Sequence, residues 1–438
     1  MATSSTAPAV SAGPTTASEA AAYAKVTWRL VPFLFVCYIV SWLDRVNVGF
    51  AKLQMQSDLK FSDTVYGLGA GIFFIGYFLF EVPSNMILHR AGARLWIARI
   101  MITWGIISSA MMYASSAMSF YVLRFLIGVA EAGFFPGIIL YLTYWYPARR
   151  RGRIVALFLT AISATSVVGG PLSGWILKNL NGANGWAGWQ WLFLVEGVPS
   201  IVMGVWTLFY LDDTIRGSKW LSDAEKQILE RNIAAENADK SSHSLGHAFG
   251  DPKVWLLAFV YFCFVSGLYA ISFWLPQIIK NTGVKDPLDI GLLTAIPWGL
   301  GAIGMLLWGH SSDRGGERRW HAALAGFIGG VGMLISTAYG KNTIASMAAL
   351  TVATFGILAT LPVFWALPTA FLAGGAAAAG IAWINSVGNL GGFVAPFLVG
   401  WLKDLTHGTA AGLYVLSGGL VLGGVLVLVF IPARLFKR

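Results

Sequence analysis

Residues 309–319 read Gly-His-Ser-Ser-Asp-Arg-Gly-Gly-Glu-Arg-Arg, and residues 85–94 read Asn-Met-Ile-Leu-His-Arg-Ala-Gly-Ala-Arg. The two stretches are variants of one short basic turn. Superposing Arg90 on Arg314 gives an offset of 224 residues, and superposing Gly92 on Gly316 gives 224 again. Each turn lies between two long apolar runs. A repeat of about half the chain length predicts two copies of one multi-helix unit.

The apolar runs around these turns indicate a membrane protein. The 438-residue chain is 56% hydrophobic and only 11% charged, with a mean hydropathy of +0.67, whereas about a quarter of the residues of a soluble domain are charged. Each run is about 20 residues long, which matches the hydrocarbon thickness that a helix must cross. Because lipid satisfies no backbone hydrogen bonds, the runs are predicted to be helices. The short alternating segments of a β-barrel are absent from the sequence.

Twelve membrane-spanning helices are predicted, six on each side of a polar linker at residues 212–252. Within the linker, the stretch from Ser222 is predicted to form a short surface helix. Residues 1–24, rich in Ala, Ser, Thr and Pro, are predicted to form a disordered cytoplasmic tail. The two six-helix bundles then comprise residues 25–211 and 253–438. The predicted spans are 27–49, 64–88, 95–115, 118–144, 153–178, 189–211, 253–279, 289–310, 320–338, 343–371, 376–402 and 409–431.

Lysine and arginine set the orientation. With an even number of spans both termini share one side, and that side carries 21 of the 30 Lys and Arg residues, against 7 on the other side and two within spans. The positive-inside rule therefore places both termini in the cytoplasm. The same distribution explains the net charge of +10 without a nucleic-acid partner, and none is expected.

Cofactor and metal sites are not expected. Cys37 and Cys263 both lie inside apolar runs, which argues against a disulfide, a zinc site or a redox pair. The sequence contains no Gly-x-x-x-x-Gly-Lys-Ser/Thr loop, so ATP-driven transport by this chain is not expected. No catalytic constellation of nucleophile and base is present, no span carries a pair of histidines, and no soluble signalling domain follows. A membrane-bound enzyme or a sensor is therefore the weaker hypothesis.

Ionisable residues fall inside several predicted spans, where a charge is costly and usually functional, and four of them are the main candidates. Asp44 and Arg45 are neighbours on the first span, so their side chains point about 100° apart and do not face each other. Mutual neutralisation is thus disfavoured, and each needs another partner. Arg124 and Glu131 are seven residues apart on the fourth span and share one face. A structural charge network and a proton-coupling role are both compatible with this pattern, and Arg124 is a candidate partner for Asp44 or Glu131.

The repeated turn resembles the major facilitator loop signature, Gly-x-x-x-Asp-Arg-x-Gly-x-Arg-Arg. The second copy fits it, whereas the first has Asn85 for Gly and His89 for Asp. The resemblance implies an all-α membrane protein with twelve helices in two pseudo-symmetric bundles, and the first half lacks the usual acidic anchor of its gate. The gate residues implied by the resemblance are Arg90, Gly92, Arg94, Asp313, Arg314, Gly316 and Arg318.

Three further stretches resemble the anion:cation symporter branch of that superfamily. They are Trp-Leu-Asp-Arg-Val-Asn at 42–47, Arg-Phe-Leu-Ile-Gly-Val-Ala-Glu-Ala-Gly-Phe-Phe-Pro at 124–136, and Trp-Gln-Trp-Leu-Phe-Leu-Val-Glu-Gly at 189–197. The branch includes bacterial tartrate, galactonate, phthalate and hydroxyphenylacetate carriers, together with sialin and the vesicular glutamate transporters of animals.

The resemblance implies roles for individual residues. Asp44 and Glu131 match carboxylates regarded as proton carriers, with Arg124 beside them, and Arg45 matches the arginine that holds the substrate carboxylate. A guanidinium suits that task because it is planar, bidentate and permanently charged. The remaining candidates for substrate contact are polar or aromatic: Tyr77, Tyr269, Trp365 and Asn389. Glu81, Glu196 and His89 are interpreted as structural or loop residues.

The resulting hypothesis is a proton-coupled symporter that imports a small organic anion by alternating access. A hydroxylated carboxylate such as tartrate or a sugar acid is the first choice of substrate. An aromatic-acid permease for hydroxyphenylacetate or phthalate, and an uncoupled facilitator or exporter of the same fold, remain as alternatives. The expected partners are the anion, protons and the lipid of a bacterial inner membrane, and the chain is expected to act as a monomer.

Overall fold

The computed structural model describes residues 16–238, 251–371 and 374–432. These residues form helices and connecting turns, and twelve of the helical segments are long and apolar enough to cross a membrane. The predicted architecture, an all-α protein of twelve spans in two groups of six, is confirmed. The spans are referred to below by ordinal number along the chain.

The first half contains spans one to six. Three of them are divided into two consecutive helices by a local break. In order, the spans are Thr16–Val46 with Val48–Asp58, Asp63–Ala91, Ala93–Ala110, Ala117–Glu131 with Phe134–Thr143, Ala148–Leu159 with Ala161–Asn179, and Gly188–Tyr210.

A surface helix, Asp223–Ala238, follows in the predicted linker. Residues 239–250 of that linker lie outside the described residues. Spans seven to twelve are Pro252–Asn281, Pro287–Gly315, Arg319–Ala338, Thr343–Phe364 with Ala366–Phe371, Gly374–Asn389 with Gly391–Thr406, and Ala410–Phe430.

Local sequence explains where several spans begin. The Ser62 hydroxyl accepts a hydrogen bond from the Val65 amide at 3.1 Å, which caps the second span. Asp251 and Asp286 cap the seventh and eighth spans in the same way, and a proline follows each of them at the first helical position. Proline is favoured there because the amide it lacks would have had no partner within the helix.

The first helix is longer than the sequence predicted. It begins at Thr16, so the prediction of a disordered tail is wrong for residues 16–24, while residues 1–15 lie outside the described residues. Ala22 and Tyr23 are buried, and Glu19 forms an ion pair with Arg150 at 3.1 Å. This early segment is therefore held by packing against the fifth span, a tertiary contact that its composition does not reveal.

The two halves meet along matching pairs of spans. The second span packs on the eleventh and the fifth packs on the eighth. Exchanging the two halves converts one pair into the other, as expected of parallel six-helix repeats about a central axis. Apolar side chains on the outer surface remain exposed, including Phe209, Leu307 and Ile344. This is the surface that a bilayer would cover.

Charged residues bridge the halves at one end of the bundle. This end carries Asp63 and Lys403. It is called the outer end below because the Lys and Arg distribution predicts that it faces the outside. Asp63 forms ion pairs with Lys52 of the first span and with Lys403 of the eleventh, the latter at 3.0 Å. Asp404 accepts hydrogen bonds from the backbone amides of Asp63 and Thr64 at 3.1 and 2.7 Å. The outer gate is defined as Lys52, Asp63, Lys403 and Asp404.

Glycine allows the closest approach between the halves near the outer gate. A Cβ placed on Gly71 of the second span would lie 2.7 Å from the Phe393 carbonyl oxygen of the eleventh. A Cβ on Gly170 of the fifth span would lie 2.8 Å from the Gly291 carbonyl oxygen of the eighth. At both places backbone touches backbone, and any larger residue would push the halves apart.

Candidate functional site

The four intramembrane charges predicted from the sequence are all buried within the first half. The exposed fractions are 1% for Asp44, 5% for Arg45, 0% for Arg124 and 0% for Glu131. None of the four faces the lipid side of the bundle. The prediction that they lie inward is confirmed, although their partners differ from those expected.

Arg45 and Glu131 form the centre of the site. The Arg45 guanidinium makes an ion pair with the Glu131 carboxylate, which also accepts a hydrogen bond from the Ser41 hydroxyl at 2.8 Å. A second Arg45 nitrogen donates to the Tyr269 hydroxyl of the seventh span at 3.3 Å. The pair therefore joins the first, fourth and seventh spans, and so connects the two halves.

Aromatic rings surround this guanidinium. The Arg45 Cζ atom lies 5.3 Å from the ring centres of Trp42 and Phe73 and 5.2 Å from that of Tyr77. These separations allow cation–π attraction, which favours arginine with its flat, weakly hydrated charge. The Arg45 Nε atom is buried without a hydrogen-bond partner. The cation thus retains a donor for another acceptor.

The helix break after Glu131 contributes to this geometry. The fourth span stops at Glu131 and resumes at Phe134, with Gly133 at a φ of +85°. Glycine is required for that backbone conformation because it has no Cβ to clash. The Glu131 carboxylate consequently sits at the end of a helical segment, facing the first span.

Asp44 points away from Arg45, into the interior of the first half. Its carboxylate accepts hydrogen bonds from Trp104 Nε1 at 2.9 Å, Ser108 Oγ at 2.8 Å and Ser200 Oγ at 2.5 Å. The donors come from the third and sixth spans and are all neutral. No lysine or arginine of the described residues pairs with Asp44. The sequence argument that Asp44 and Arg45 do not neutralise each other is confirmed.

Arg124 does not pair with either carboxylate, contrary to the sequence-based hypothesis. Its Nε and Nη2 atoms donate to the Gly69 and Ala70 carbonyl oxygens of the second span at 3.3 and 3.2 Å. It also lies 5.2 Å from the Phe73 ring centre. Glycine at position 69 leaves room for the Phe120 ring of the fourth span, and Arg124 anchors that span to the second.

The other predicted substrate contacts divide into two groups. Tyr77 and Tyr269 are buried and adjoin Arg45, as predicted. Trp365 is half-buried and packs edge-on against Tyr261, with ring centres 4.8 Å apart. Asn389 is half-buried on the eleventh span. Tyr77 and Tyr269 therefore lie beside the guanidinium, whereas Trp365 and Asn389 do not contact Arg45.

Glu81, interpreted from the sequence as a structural residue, contacts the second half. Its carboxylate is buried, with 6% of the residue exposed, and accepts a hydrogen bond from Ser386 of the eleventh span at 3.0 Å. It lies one helical turn from Tyr77 on the same face of the second span. Glu81 therefore joins the two halves on the inner side of Arg45. The signal in the sequence was its position in an apolar run, four residues after Tyr77.

The loop motifs adopt the predicted turns with one substitution. Gly92 has a φ of +89° and Gly316 has a φ of +62°, both in the region that favours glycine. Asp313 pairs with Arg318 at 2.8 Å in the second copy. In the first copy, Asp213 accepts from the Arg94 amide at 2.8 Å. Asp213, which follows the sixth span, therefore supplies the acidic group that the first copy of the motif lacks in its own sequence. Arg90 and Arg314 are exposed.

The site offers charged groups that can exchange partners, rather than a group that reacts covalently. A carboxylate that binds Arg45 competes with any other carboxylate for the same cation, and protonation decides that competition because it removes the charge of Glu131. Within the described part of the chain, no cluster of His, Cys, Asp and Glu is arranged to hold a metal ion.

Comparison with a family model supports the fold assignment. The model described as Major Facilitator Superfamily matches residues 34–396. In fold, the structure is similar to that of the xylose transporter XylE from E. coli in a partially occluded inward open conformation, with a TM-score of 0.73. The alignment covers 94% of this chain and 99% of XylE at 13% sequence identity, a level that shows a shared fold only.

Two curated relatives are much more similar in sequence. A candidate metabolite transport protein of Pseudomonas putida, NicT, is 49% identical over 420 residues, covering 95% of this chain and 96% of NicT. A candidate tartrate transporter of Agrobacterium vitis is 50% identical over 407 residues, covering 92% of this chain and 93% of the relative. Both alignments run through the spans that carry Arg45, Asp44 and Glu131.

Proposed function

The chain belongs to the Major Facilitator Superfamily, and from that premise we propose that it is a proton-coupled symporter that imports a small organic anion. The family assignment makes it a multi-pass membrane transporter and not an enzyme. The observation that carries the proposal is the ion pair between Arg45 and Glu131, surrounded by aromatic rings at the junction of the two halves.

The proposed coupling follows from competition at Arg45. A substrate carboxylate and the Glu131 carboxylate both favour the guanidinium, which offers paired, charge-assisted donors. A proton on Glu131 cancels its charge and frees the cation, so a proton and an anion bind together. Loss of the proton restores the internal ion pair and expels the anion. A buried, unpaired arginine is costly, so the empty carrier keeps the internal pair.

A hydroxylated acid such as tartrate is the proposed substrate. The similarity to a candidate tartrate transporter supports this choice. The tyrosine hydroxyls of Tyr77 and Tyr269 and the buried Glu81 carboxylate add groups that can hydrogen-bond to substrate hydroxyls around Arg45. Aromatic acids such as hydroxyphenylacetate are the second choice, because aromatic rings surround the same guanidinium.

Uptake into proteoliposomes tests the proposal. With an inward proton gradient, we expect radiolabelled tartrate to accumulate above its external concentration, and we expect a protonophore to abolish the accumulation. Succinate, which lacks the hydroxyls, and hydroxyphenylacetate should compete less well than unlabelled tartrate. Uptake that reaches only the external concentration, unaffected by the gradient, would identify an uncoupled facilitator instead.

The outer gate is proposed to hold the outward side closed in this conformation. Both termini are proposed to lie in the cytoplasm of a bacterial inner membrane, with a single chain as the working unit. Opening to the outside would then separate Lys403 and Asp404 from the second span, together with the glycine contacts beside them. Asp63 and Lys52 would remain paired within the first half.

Lys403→Gln is expected to favour the outward-open state by about 1 kcal/mol, roughly fivefold in the ratio of states, because one partly exposed ion pair is lost. The measurement is outside labelling of a cysteine introduced at Ser272, which is buried between the halves, in a protein without Cys37 and Cys263. Lys341→Gln, an exposed lysine on the same side, is the matched control. Equal labelling rates in both variants would show that Lys403 does not hold the gate.

A further inference from the structure

Glu196 of the sixth span is a buried carboxyl group that the proposed coupling mechanism does not use. Only 1% of the residue is exposed. Its Oε1 atom accepts a hydrogen bond from Ser173 of the fifth span at 2.7 Å, and its Oε2 atom is buried without a hydrogen-bond partner. No lysine or arginine among the described residues forms an ion pair with it. A buried carboxylate without a cation is costly, and it avoids the cost by holding a proton.

The surroundings of Glu196 link it to Asp44. Glu196 and Ser200 are one turn apart on the sixth span, and Ser200 donates to Asp44 at 2.5 Å. Asn47 is one turn after Asp44 on the first span, and its side chain lies beside Glu196. The first and sixth spans therefore present two adjacent polar contacts, one around Asp44 and one around Glu196.

A small cavity at the boundary between the halves is lined by Ser173, the residue that donates to Glu196. Its volume is about 20 Å³, and Asn47 and Ser173 line it together with Ser272 and Thr294 of the second half. A volume of this size is enough for one water molecule, which needs two to four polar partners. Both polar atoms of the Asn47 side chain are buried without a hydrogen-bond partner. The cavity thus combines space for water with polar atoms that require one.

We propose that Glu196 is a second proton-binding site of the transporter, loaded through the Asn47–Ser173 cavity when the halves part at the outer end and unloaded through it when they part at the inner end. The proton leaves the Glu196 carboxyl for a water molecule in the cavity, and no other bond changes. The inference rests on the proposed function, since it adds one proton to the transport cycle already described.

The spans packed against the sixth carry several other charged groups. Asp44 is linked to the sixth span through Ser200, while Arg45 is directed to Glu131. The remaining ones are at the ends of the spans or paired elsewhere: Glu19 with Arg150, Lys25 with Glu225, Arg29 with Tyr210, Lys52 with Asp63, Asp58 with Trp189, Lys178 with Asp286, and Arg94 and Arg99 at the inner end of the third span.

The test is the accumulation ratio of labelled tartrate as a function of the proton gradient. One proton fewer per cycle lowers the ratio tenfold at a gradient of one pH unit. Glu196→Gln, which has the shape of the protonated acid, is therefore expected to accumulate about tenfold less than the wild type while still exchanging substrate. Glu230→Gln, on the exposed linker helix, is the control and should match the wild type.

Three outcomes separate the possibilities. A Glu196→Gln variant that accumulates like the wild type at every gradient would overturn the second site and leave the proposed function standing. A wild type that accumulates nothing would overturn both. If Glu196→Gln does not fold, the Ser173→Ala variant tests the inference instead. The alanine variant lacks the hydroxyl that donates to the Glu196 carboxylate, so the charged form of Glu196 is less stable and the pH of half-maximal uptake should rise. An unchanged pH profile would overturn the inference.

Discussion

Replacing Arg45 by lysine is expected to weaken organic-anion binding by about ten- to a hundredfold while leaving the protein folded. Lysine keeps the positive charge but loses the planar fork that binds two carboxylate oxygens at once. A hydrogen bond to a charged group is worth about 1.5–3 kcal/mol, and each 1.4 kcal/mol is a factor of ten in affinity. The aromatic rings around the guanidinium also favour arginine over the more strongly hydrated ammonium group.

Isothermal titration of the purified protein with tartrate measures this loss. The matched control is Arg29→Lys, because Arg29 is also on the first span and also lies over an aromatic ring, 3.9 Å from the ring centre of Tyr210, but outside the site. The control should bind tartrate with wild-type affinity. Near-normal affinity in Arg45→Lys would mean that another group holds the substrate carboxylate and that Arg45 serves the internal ion pair alone.

Glu131→Gln is expected to abolish proton-driven accumulation while exchange of substrate across the membrane persists. Glutamine cannot release Arg45 and recapture it as the pH changes, so the gradient no longer acts on the site. Exchange requires only the loaded carrier to move between its two states, and a neutral side chain at position 131 resembles the protonated glutamate of that state. The Ser41 hydroxyl can still donate to the amide oxygen.

Paired uptake and counterflow assays in the same proteoliposomes separate coupling from structure. A structural carboxylate behaves differently, because its removal leaves a buried arginine unpaired at a cost of about 3–5 kcal/mol. In that case uptake, counterflow and melting temperature should fall together, and the coupling role would be wrong. Full accumulation by Glu131→Gln would show instead that Glu131 carries no obligatory proton.

Asp44→Asn belongs in the same experiment because its surroundings predict a milder structural effect. The amide oxygen can accept from Trp104 and Ser200, and the amide nitrogen can donate to Ser108 once that hydroxyl rotates. Loss of accumulation with a normal melting temperature would support a proton-carrying role for Asp44. Unchanged accumulation would leave Asp44 as a buried structural acid.

The fold was predictable from the sequence because membrane helices are encoded locally. The length of each apolar run gives the span without any tertiary contact, and the orientation inferred from Lys and Arg stays a prediction. The ends of the spans were less predictable. Lys52 lies outside the predicted first span of residues 27–49, yet it is fully buried between the Tyr66 and Trp274 rings, with Asp63 as its partner. These neighbours come from two other spans, and hydropathy along one run cannot show them.

The site was predictable as a set of residues but not as a set of contacts. Arg45, Asp44 and Glu131 stand out because charge in an apolar run is rare. Their partners depend on the rotation of each helix about its axis, which spacing fixes only within one span. Arg124 shares a face with Glu131 but binds the backbone of the second span, since Gly69 and Ala70 leave carbonyl oxygens within reach. Similarly, the three donors around Asp44 come from two other spans and carry no charge to reveal them.

The glycine contacts beside the outer gate also bear on electrical insulation. A carrier driven by an ion gradient dissipates the membrane potential if ions leak through it between cycles. Gly71 meets the Phe393 carbonyl and Gly170 meets the Gly291 carbonyl with no side chain between the backbones. A change of side-chain rotamer therefore opens no gap between the halves at these two contacts. The seal depends on main-chain contact, which is rigid on the scale of a water molecule. If the halves part and rejoin as proposed, these two backbone contacts can re-form without a change of side-chain rotamer and would limit ion leakage in the closed state.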